Sequence, residues 1–435
     1  MKIHQIYSYI GCLLILALSG IATSCSDDEI AKGIYNVKEG VPVKVSLKFG
    51  VQKSEVVSRS AASESQEQSI NRYYVIAFNR FGEVSGQKYT TLDETNETGT
   101  GTITDFEMTS GSAQQLFVIG NPVALGESMI GKLKAVQTLD DFKKISATLQ
   151  DTGAQSVERT TFLMIGQLLN TEGGTDITLN EEGVFVNVPS PATVTLKRVD
   201  ARISFTVKAE NPNYTDMVFT PRYCNIYNVS RNTYLVSQDN DYAEDNEETE
   251  GNYADVTSYL FDGGDNTDGY TIEFYLLENR LDYKQRITQN VKTSQYNDAE
   301  SLYALREKRE KTNLNPDGSK PGQTYVPGDF VFANDQSTYV QLRGTLTYTN
   351  KENRQVIADV SYKIHLGNTG NAQTDDWANN ESLVNNYETK RNTWYKYNVT
   401  ITGVETLRVE VDVEEGQENE KRPGAEGDVI VAGES

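Results

Sequence analysis

The sequence contains few of the residues and motifs on which enzymes depend. Its 435 residues include only two histidines, His4 and His365, and His4 lies in an N-terminal segment that we expect to be removed. One histidine cannot supply a histidine-based triad or a multi-histidine metal site, and His365 falls on the polar face of a predicted strand, where a solvated side chain is expected. The sequence has no P-loop, HExxH, GxSxG, CxxC or dinucleotide fingerprint. We therefore predict a protein that is not an enzyme and that uses no cofactor.

Positive charge is also scarce. The 40 Lys and Arg residues are outnumbered by 62 Asp and Glu residues, which gives a formal net charge of −22. Nucleic acids and anionic lipid surfaces are bound through clustered basic residues, so the composition excludes both as partners. The one short basic run, residues 306–311, is interleaved with Glu307 and Glu310 and is interpreted as a helix face of ion pairs. The acidity itself indicates a solvated surface.

Acidic residues are abundant but form no recognisable site. Residues 239–250 are densely acidic, and Asp262, Asp265 and Asp268 form a second cluster. Calcium favours clustered carboxylates, but neither segment has EF-hand spacing, so both are interpreted as solvated loops and no metal site is predicted. A carboxylate pair could also hydrolyse a glycosidic bond, yet sequence spacing singles out no pair. A hydrolase is therefore the third of the functions considered.

Only one long apolar run occurs, and it lies near the N-terminus. Residues 10–22 follow Lys2 and are too few to span a bilayer as a helix, but they match the length of the apolar region of a signal peptide. Small residues then lead into Cys25, an arrangement that resembles the bacterial lipobox, in which the cysteine is acylated. The alternative is an ordinary secretory signal with an incidental cysteine. The acidic residues 26–29 resemble the signal that directs Bacteroidetes lipoproteins to the outer face of the outer membrane.

The cysteine count excludes internal disulfides from the exported chain. Of the three cysteines, Cys12 would be removed with the signal peptide and Cys25 would carry lipid, which leaves Cys224 without a partner. Such a chain depends on its hydrophobic cores alone, and its length is typical of two domains. Tyr outnumbers Phe by 25 to 14 and there are two Trp, which favours half-exposed sheet surfaces and hence β-sandwiches over helical bundles.

Period-two alternation of apolar and polar residues runs through most of the chain and predicts a mostly β fold. Residues 73–78 are apolar on both faces and are expected to lie centrally in a sheet. A capping box at Thr138 and Asp141, followed at helical spacing by Phe142, Ile145 and Leu149, predicts one short helix. Residues 298–311 predict a second. Residues 391–393 are predicted to be the turn that starts the strand at Tyr395. The remaining predicted strands and hairpins cover residues 43–51, 113–120, 160–168, 176–188, 217–229, 233–236, 272–280, 340–366, 395–401 and 407–413.

A change of pattern between residues 191 and 209 predicts a boundary in the chain. Apolar residues occupy even positions at Val194 and Leu196 and odd positions from Val199 onward. A strand cannot exchange its faces without a bulge or a break, so we place the boundary near residues 197–198. The expected organisation is a signal peptide at 1–24, a leader with the first strand at 25–59, β-sandwich domains at 60–197 and 198–414, and a tail at 415–435.

A set of short motifs resembles one known family. The segments are residues 198–203 (RVDARI), 274–280 (FYLLENR), 362–367 (YKIHLG), 385–413 and 423–428 (PGAEGD). Each is weak alone, but their order together with the lipobox resembles the fimbrillin-type lipoproteins of Bacteroidetes, the subunits of type V pili. The resemblance implies two tandem β-sandwich domains of the transthyretin or immunoglobulin type, with a few short helices. It also implies a lipidated precursor at the outer membrane and cell surface, neighbouring fimbrial subunits as partners, and a surface receptor.

In that family a trypsin-like protease cuts stalk subunits after an arginine, which removes the first strand, and a strand from a neighbouring subunit fills the groove. Residues 43–51 are strongly amphipathic, so their removal would expose an apolar groove with unpaired backbone groups. Arg59 follows in a Ser-rich linker where cleavage is easy, and the expected cut lies between Arg59 and Ser60. The alternative is a linker arginine that is never cut.

The C-terminal tail departs from the family pattern. Its apolar residues 429–432 are few for a donor strand, so the donor is expected from the longer region 405–431, or the protein is an anchor or tip component that keeps its first strand. An alternative function of another class is a monomeric surface lipoprotein that binds glycans. In that case Trp377 and Trp394 are the expected exposed platforms.

Overall fold

The computed structural model describes residues 37–52, 67–96, 99–122, 128–148, 161–238, 253–259, 261, 263–279, 307, 337–368 and 386–415. Over these ranges the chain is mostly β structure with two short helices, as the alternation of apolar and polar residues predicts. None of the helices in this part of the chain is long and apolar enough to cross a membrane. The acidic segment 239–250 and, apart from Glu307, the predicted helix 298–311 lie outside the described residues.

The first half of the chain forms an eight-stranded sheet. Its strands are β1 (Pro42–Val51), β2 (Ile70–Phe78), β3 (Val84–Asn96), β4 (Thr100–Thr109), β5 (Gly111–Gly120), β7 (Met164–Gln167), β8 (Ile177–Leu179) and β9 (Thr193–Arg198). The strand order is β3-β2-β5-β7-β9-β1-β4, and β8 pairs with β5. The predicted strands at 43–51, 73–78 and 113–120 are confirmed, and β7 is shorter than the predicted strand at 160–168. Of the predicted hairpin at 176–188 only β8 is a strand, because the second arm makes an isolated bridge between Leu179 and Phe185.

Strands β3 and β4 were not predicted, and β4 shows why. Its buried residues Ile103, Phe106 and Met108 are not evenly spaced, because the pairing of β4 with β1 shifts register between Val45 and Leu47. Asp105, within the shifted stretch, has a φ of 51°. A bulge inserts one residue and breaks the period of two, so alternation cannot identify the strand.

β2 lies in the middle of its sheet, as its continuous apolar sequence predicts. Residues Tyr73, Val75 and Ala77 face the same buried cluster as the side chains of β1. The alternate residues, including Phe78, face a second cluster that contains Phe142. Because both faces of β2 are covered, the strand has no polar side.

Two helices cover the second face of β2: α1 (Ser128–Ala135) and α2 (Leu139–Lys143). The predicted capping box is confirmed, because Thr138 Oγ1 accepts a hydrogen bond from the backbone N of Asp141 at 3.1 Å. The Phe142 ring packs 4.9 Å from that of Phe117, centroid to centroid. The helix ends earlier than predicted, since residues Ser146–Thr148 form strand β6 instead.

The second half of the chain contributes two larger sheets. Its strands are β10 (Asp200–Ala209), β11 (Thr215–Ser230), β12 (Asn232–Tyr234), β13 (Tyr253–Tyr259), β14 (Gly263–Asp265), β15 (Gly269–Leu277), β16 (Tyr339–Thr349), β17 (Gln355–His365), β18 (Thr393–Ile401) and β19 (Leu407–Glu415). One sheet has the order β14-β15-β10-β18-β19 and the other β13-β11-β16-β17. Apolar side chains of both, such as Phe205 and Leu342, belong to one buried cluster. The predicted hairpin at 340–366 is confirmed as β16 and β17, paired from Tyr339↔His365 to Thr349↔Gln355.

The chain passes from one sheet to another near residue 198. β9 ends at Arg198 in the eight-stranded sheet, and β10 begins at Asp200 in the five-stranded sheet. Val194 and Leu196 face one buried cluster, whereas Ile203 faces the other. A further connection joins the two halves, because β12 pairs antiparallel with β6, with Thr233 opposite Ala147.

Candidate functional site

The first strand occupies an internal position in its sheet. β1 pairs antiparallel with β4, from Pro42↔Thr109 to Gly50↔Thr100, and parallel with β9, from Lys48↔Thr193 to Val51↔Leu196. Within the described part of the chain, β1 is the only strand that pairs with β4 through backbone hydrogen bonds. Loss of β1 would therefore separate β4 from the sheet and leave β9 with an open edge.

The side chains of β1 alternate between core and solvent. Val45, Leu47 and Phe49 are each 2% exposed and Val51 is 7% exposed, while the alternate residues point to solvent. Each such apolar side chain contributes about 1.5–3 kcal/mol by leaving water. The space around β1 is thus an apolar slot that stays closed only while a strand of the same pattern fills it.

Gly101 shapes this slot. It lies opposite Phe49 in β4, and the Phe49 ring covers it so closely that a Cβ built on Gly101 would be 2.3 Å from Phe49 Cζ. An aromatic ring over a cross-strand glycine fixes the register of the pair, because no other residue leaves room for the ring. Gly101 consequently gives the slot room for a large ring at this position.

Both ends of β1 are fixed by backbone hydrogen bonds. At its start, Gly40 N donates to Ser110 O at 2.9 Å. At its end, Gln52 N donates to Leu196 O at 2.9 Å, and the Gln52 side chain is buried. Residues 53–66 follow and lie outside the described residues, so the expected cut between Arg59 and Ser60 is not placed; the same holds for Cys25 and Trp377.

On the other side of that segment, the described chain resumes with a buried charged residue. Glu67 is 3% exposed and lies between two guanidinium groups. Its carboxylate accepts hydrogen bonds from Arg198 and from Arg202 Nη1, the latter at 2.7 Å. The Tyr275 hydroxyl donates a third bond to Glu67 Oε1. The residues come from β9, β10 and β15, so Glu67 joins the eight-stranded sheet to the five-stranded sheet.

The charges in this cluster balance. Arg202 also donates from Nε to Glu273, and both side chains are almost fully buried. Two guanidinium groups thus face two carboxylates in a site from which water is excluded. The indole ring of Trp394 covers Arg202, with 4.1 Å between the guanidinium Cζ and the ring centroid. We call Glu67, Arg198, Arg202, Glu273 and Tyr275 the junction cluster.

Ionisation in the junction cluster follows from its contacts. Burial raises the pKa of Glu67, but the charges of Arg198 and Arg202 and the hydrogen bond from Tyr275 lower it by more, so the pKa lies below its ordinary value. Burial also raises the pKa of the Tyr275 hydroxyl, and the Glu67 charge raises it further. Glu67 is therefore an anion and Tyr275 a neutral donor at neutral pH.

A single asparagine links the junction cluster to the end of β1. Asn392 Nδ2 donates to Gln52 Oε1 at 2.7 Å, and Asn392 Oδ1 accepts from Arg198 N at 3.1 Å. Its backbone has a φ of 56°, a conformation that asparagine tolerates better than most residues. A continuous path of contacts, which we call the junction relay, therefore runs from Gln52 through Asn392 and Arg198 to Glu67.

Residues 391 and 392 precede β18, which begins at Thr393 and not at Tyr395 as predicted, and they do more than form a turn. Arg391 donates from Nε to Glu278 Oε1 at 2.9 Å and from Nη1 to Leu235 O at 2.9 Å. Arg391 Nη2 also donates to Tyr234 O at 2.6 Å, at the end of β12. Arg391 thereby holds β12, which pairs with β6 of the first half, against the end of β15.

The exposure expected of Trp394 is wrong. The residue is 4% exposed, and its Nε1 donates to Ser204 Oγ at 3.0 Å. Arg202 Cζ at 4.1 Å and Lys396 Nζ at 4.0 Å lie over the ring. β18 is an inner strand of its sheet and neighbouring cations cover the indole, so Trp394 offers no open platform for a glycan.

The solvated environment expected of His365 is also wrong, since the residue is 1% exposed. Its Nδ1 lies 2.8 Å from Glu307 Oε2, and its backbone N donates to Glu307 Oε1 at 2.7 Å. The Tyr387 ring packs edge-on with 5.9 Å between centroids. A residue distant in sequence therefore covers this end of β17, which alternation within the strand cannot reveal.

No metal site was predicted, and the described ranges contain no group of His, Cys, Asp and Glu that could hold an ion. The Asp265 carboxylate instead accepts from the backbone N of Thr267 at 2.7 Å and of Asp268 at 3.0 Å, which makes it a turn residue. Cys224 is a free, buried thiol, and burial raises its pKa.

A comparison with protein-family models matches the part of the chain that contains the slot. Residues 43–198 match the family model described as major fimbrial subunit protein (FimA). The matched segment extends from the second residue of β1 to the last residue of β9, so it comprises the eight-stranded sheet. The resemblance identified in the sequence is thereby confirmed for this part of the chain. A search of curated proteins gives no significant match.

Solved structures add a likeness of fold. A candidate cell adhesion protein from Parabacteroides distasonis is 18% identical, with a TM-score of 0.50, over 87% of this chain and 98% of that chain. A second candidate cell adhesion protein from the same organism is 16% identical, with a TM-score of 0.53, over 87% of this chain and 100% of that chain. At these identities the comparison shows a shared fold.

Proposed function

We propose that this chain is a structural or accessory subunit of a cell-surface fimbria, which associates with neighbouring subunits by strand exchange and contributes to adhesion. One observation carries the proposal: β1 fills an apolar slot between β9 and β4, and this slot lies within the segment that matches the fimbrial subunit family. Once β1 is removed, a neighbouring subunit would fill this slot with one of its own strands. The work of the protein would then be assembly and adhesion, without catalysis or cofactor.

The proposal includes an organisation into two tandem β-sandwich domains of the transthyretin or immunoglobulin type. We place the division at residues 197–198, with domains at 60–197 and 198–414. Two observations support it: β9 and β10 belong to different sheets, and the side chains on the two sides of the break face different buried clusters. The tail 415–435 would leave the second domain.

We further propose export as a lipoprotein, with lipid on Cys25 and residence at the outer membrane and cell surface. Processing would cut between Arg59 and Ser60, which removes residues 25–59 together with β1. Arg59 lies in sequence between Gln52 and Glu67, both of which are buried. We also propose a surface receptor on a host or bacterial cell as a partner.

The donor strand is constrained by the sheet of the second half. β19 is paired with β18 along its length, from Ile401↔Leu407 to Thr393↔Glu415, and its residues Leu407, Val409 and Val411 are buried. Withdrawal of β19 would expose these side chains. Within the region 405–431, we therefore propose that the donor comes from the residues beyond Glu415.

The test is Arg-specific proteolysis of the full chain produced without lipid. We expect N-terminal sequencing to find Ser60 and unheated gels to show a ladder of oligomers, while the uncut chain stays monomeric. Arg59→Lys is the matched control, because it keeps the charge but is not cut by an Arg-specific protease. A chain that is cut at Ser60 and remains monomeric would contradict strand exchange. A chain never cut at Arg59, in cells or in vitro, would leave only an anchor role with β1 retained.

A further inference from the structure

The two described residues that flank the segment 53–66 are both buried and both anchored. Gln52 is 4% exposed and Glu67 is 3% exposed. Each is held by residues that lie far away in sequence, at positions 198, 202, 275 and 392. A cut between Gln52 and Glu67 therefore produces two chain ends, and each has its own attachment to the rest of the protein.

The two attachments differ in strength. Glu67 accepts charge-assisted hydrogen bonds from two guanidinium groups, and its removal from the junction cluster would leave buried cations without their full complement of carboxylates. The Gln52 side chain accepts a neutral hydrogen bond from Asn392 Nδ2. This contact is weaker than the charge-assisted bonds at Glu67, and it adds to the strand pairing that already holds β1.

The attachments of Gln52 and Glu67 both depend on Arg198, which belongs to the junction relay. Arg198 donates its side chain to Glu67 and its backbone N to Asn392 Oδ1, so the position of Asn392 is fixed by the same residue that fixes Glu67. Asn392 N further donates to Asp200 O at 2.7 Å. Asn392 therefore remains in place whether or not Gln52 is bound to it.

We propose that Asn392 is a retention residue for β1. After the chain is cut between Gln52 and Glu67, Asn392 holds the end of β1 in its slot, while the junction cluster holds the start of the remaining chain at Glu67. Cleavage and departure of β1 are then separate steps, and β1 leaves only when another strand competes for the slot. This inference rests on the proposed function for its biological role, but its geometry is independent of any neighbouring subunit.

The experiment measures the release of β1 from cut protein. The chain from Cys25 onward, which lacks Cys12, is produced without lipid, with a unique protease site placed between residues 53 and 66, and a fluorophore is attached to the Cys25 thiol. Cys224 does not compete for the label, because it is buried and its pKa is raised. After cleavage, an excess of unlabelled peptide with the sequence of residues 37–52 is added, and loss of the labelled fragment is followed by fluorescence anisotropy.

Two variants remove the Gln52 contact from opposite sides. Asn392→Gly keeps the positive φ accessible, and Gln52→Ala leaves the second half of the chain untouched. We expect each to release β1 about tenfold faster than the cut parent chain, since a buried hydrogen bond is lost, and the double variant to be no faster than Asn392→Gly. Asn398→Ala is the control, because this exposed asparagine lies in β18, the strand that follows Asn392, and its Nδ2 contacts Asp412 instead.

Three results would overturn the inference. The cut parent chain could lose its labelled fragment on mixing, before competitor is added. Gln52→Ala could release the fragment at the parental rate, which would show that the contact retains nothing even if Asn392→Gly fails to fold. The effects of the two variants on the release rate could be additive in the double variant, which would show that Asn392 and Gln52 do not act through one shared contact. Failure of the proposed function is seen separately, as an absence of oligomer ladders.

Discussion

Glu67 and Arg202 form a buried ion pair, with 2.7 Å between Glu67 Oε1 and Arg202 Nη1, that fastens the segment before β2 to the sheet of the second half. The pair is not isolated, because Arg198, Glu273 and Tyr275 complete a neutral group of charges. Removing one member of a buried group of charges costs more than the group contributes as a whole, since the partners are left uncompensated. This asymmetry makes the junction cluster a sensitive place to perturb.

Glu67→Gln is expected to lower the free energy of unfolding by about 3–5 kcal/mol, because two buried guanidinium groups would then face one carboxylate. Urea unfolding followed by circular dichroism measures the change. The matched control is Arg222→Gln, which breaks an exposed ion pair with Asp359 and should change stability by less than about 1 kcal/mol. Equal effects of the two substitutions would refute a special contribution of the junction cluster.

The stability of the chain should fall in acid partly through Glu67. Its pKa is lowered in the folded protein from an ordinary value of 4.5, so the folded state binds that proton less readily than the unfolded state. The stabilisation is then complete above pH 4.5 and is lost as the pH falls through the folded pKa. Thermal unfolding between pH 3 and 7 should show a steeper acid decline for the parent chain than for Glu67→Gln. Parallel pH profiles would contradict this.

Gly101→Ala should destabilise β1 in its slot. The new Cβ would stand 2.3 Å from Phe49 Cζ, so the ring must move from a packed position, and we expect a loss of about 1–3 kcal/mol of unfolding free energy. Gly50→Ala is the control in the adjacent register pair, where the nearest atom to the added Cβ is Thr100 Cγ2 at 3.9 Å. Chemical denaturation compares the two. An Ala at position 101 that costs no more than an Ala at position 50 would mean that the ring relaxes freely.

Trp394 should report a buried environment. In a Trp377→Phe background it is the remaining tryptophan, and its 4% exposure predicts blue-shifted emission and weak quenching by acrylamide compared with the unfolded chain. Titration with host or dietary glycans should leave this emission unchanged, because the ring is covered by Arg202 and Lys396. A saturable glycan-dependent change would revive the glycan-binding alternative.

Alternation predicted the strands well wherever the ladder is regular. β1, the hairpin of β16 and β17, and the closing strands β18 and β19 all lie where the sequence places them, because one side of each alternating pattern faces a core. It missed β4, whose register shift interrupts the period. The position of Ile145 fits the helical face of α2, so the sequence predicted a helix that continues beyond Lys143. The helix ends at Lys143 instead, and β6 begins at Ser146.

Site prediction was limited by a different fact: a pattern shows which face a side chain takes but not what covers that face. Arg202 lies opposite the apolar residues of β10, a position that usually means solvent, whereas Arg198 lies on the same face of β9 as Val194 and Leu196, where an apolar residue is expected. Both side chains are buried because they pair with the carboxylate of Glu67, a residue distant in sequence. His365 and Trp394 were misjudged for the same reason. Only contacts between residues far apart in sequence could identify the junction cluster and the junction relay.

The pairing of β6 with β12 has a mechanical meaning. The two halves of the chain are joined covalently at Val199, through the junction cluster at Glu67, and again where Thr233 lies opposite Ala147, a pairing secured by Arg391. Two halves that are joined at one point can rotate about it, whereas connections at three separate places restrict their relative rotation. Thermal motion or a pull on the chain would have to break a buried ion cluster or a strand pair before the halves could tilt, so the two halves should move as one rigid unit.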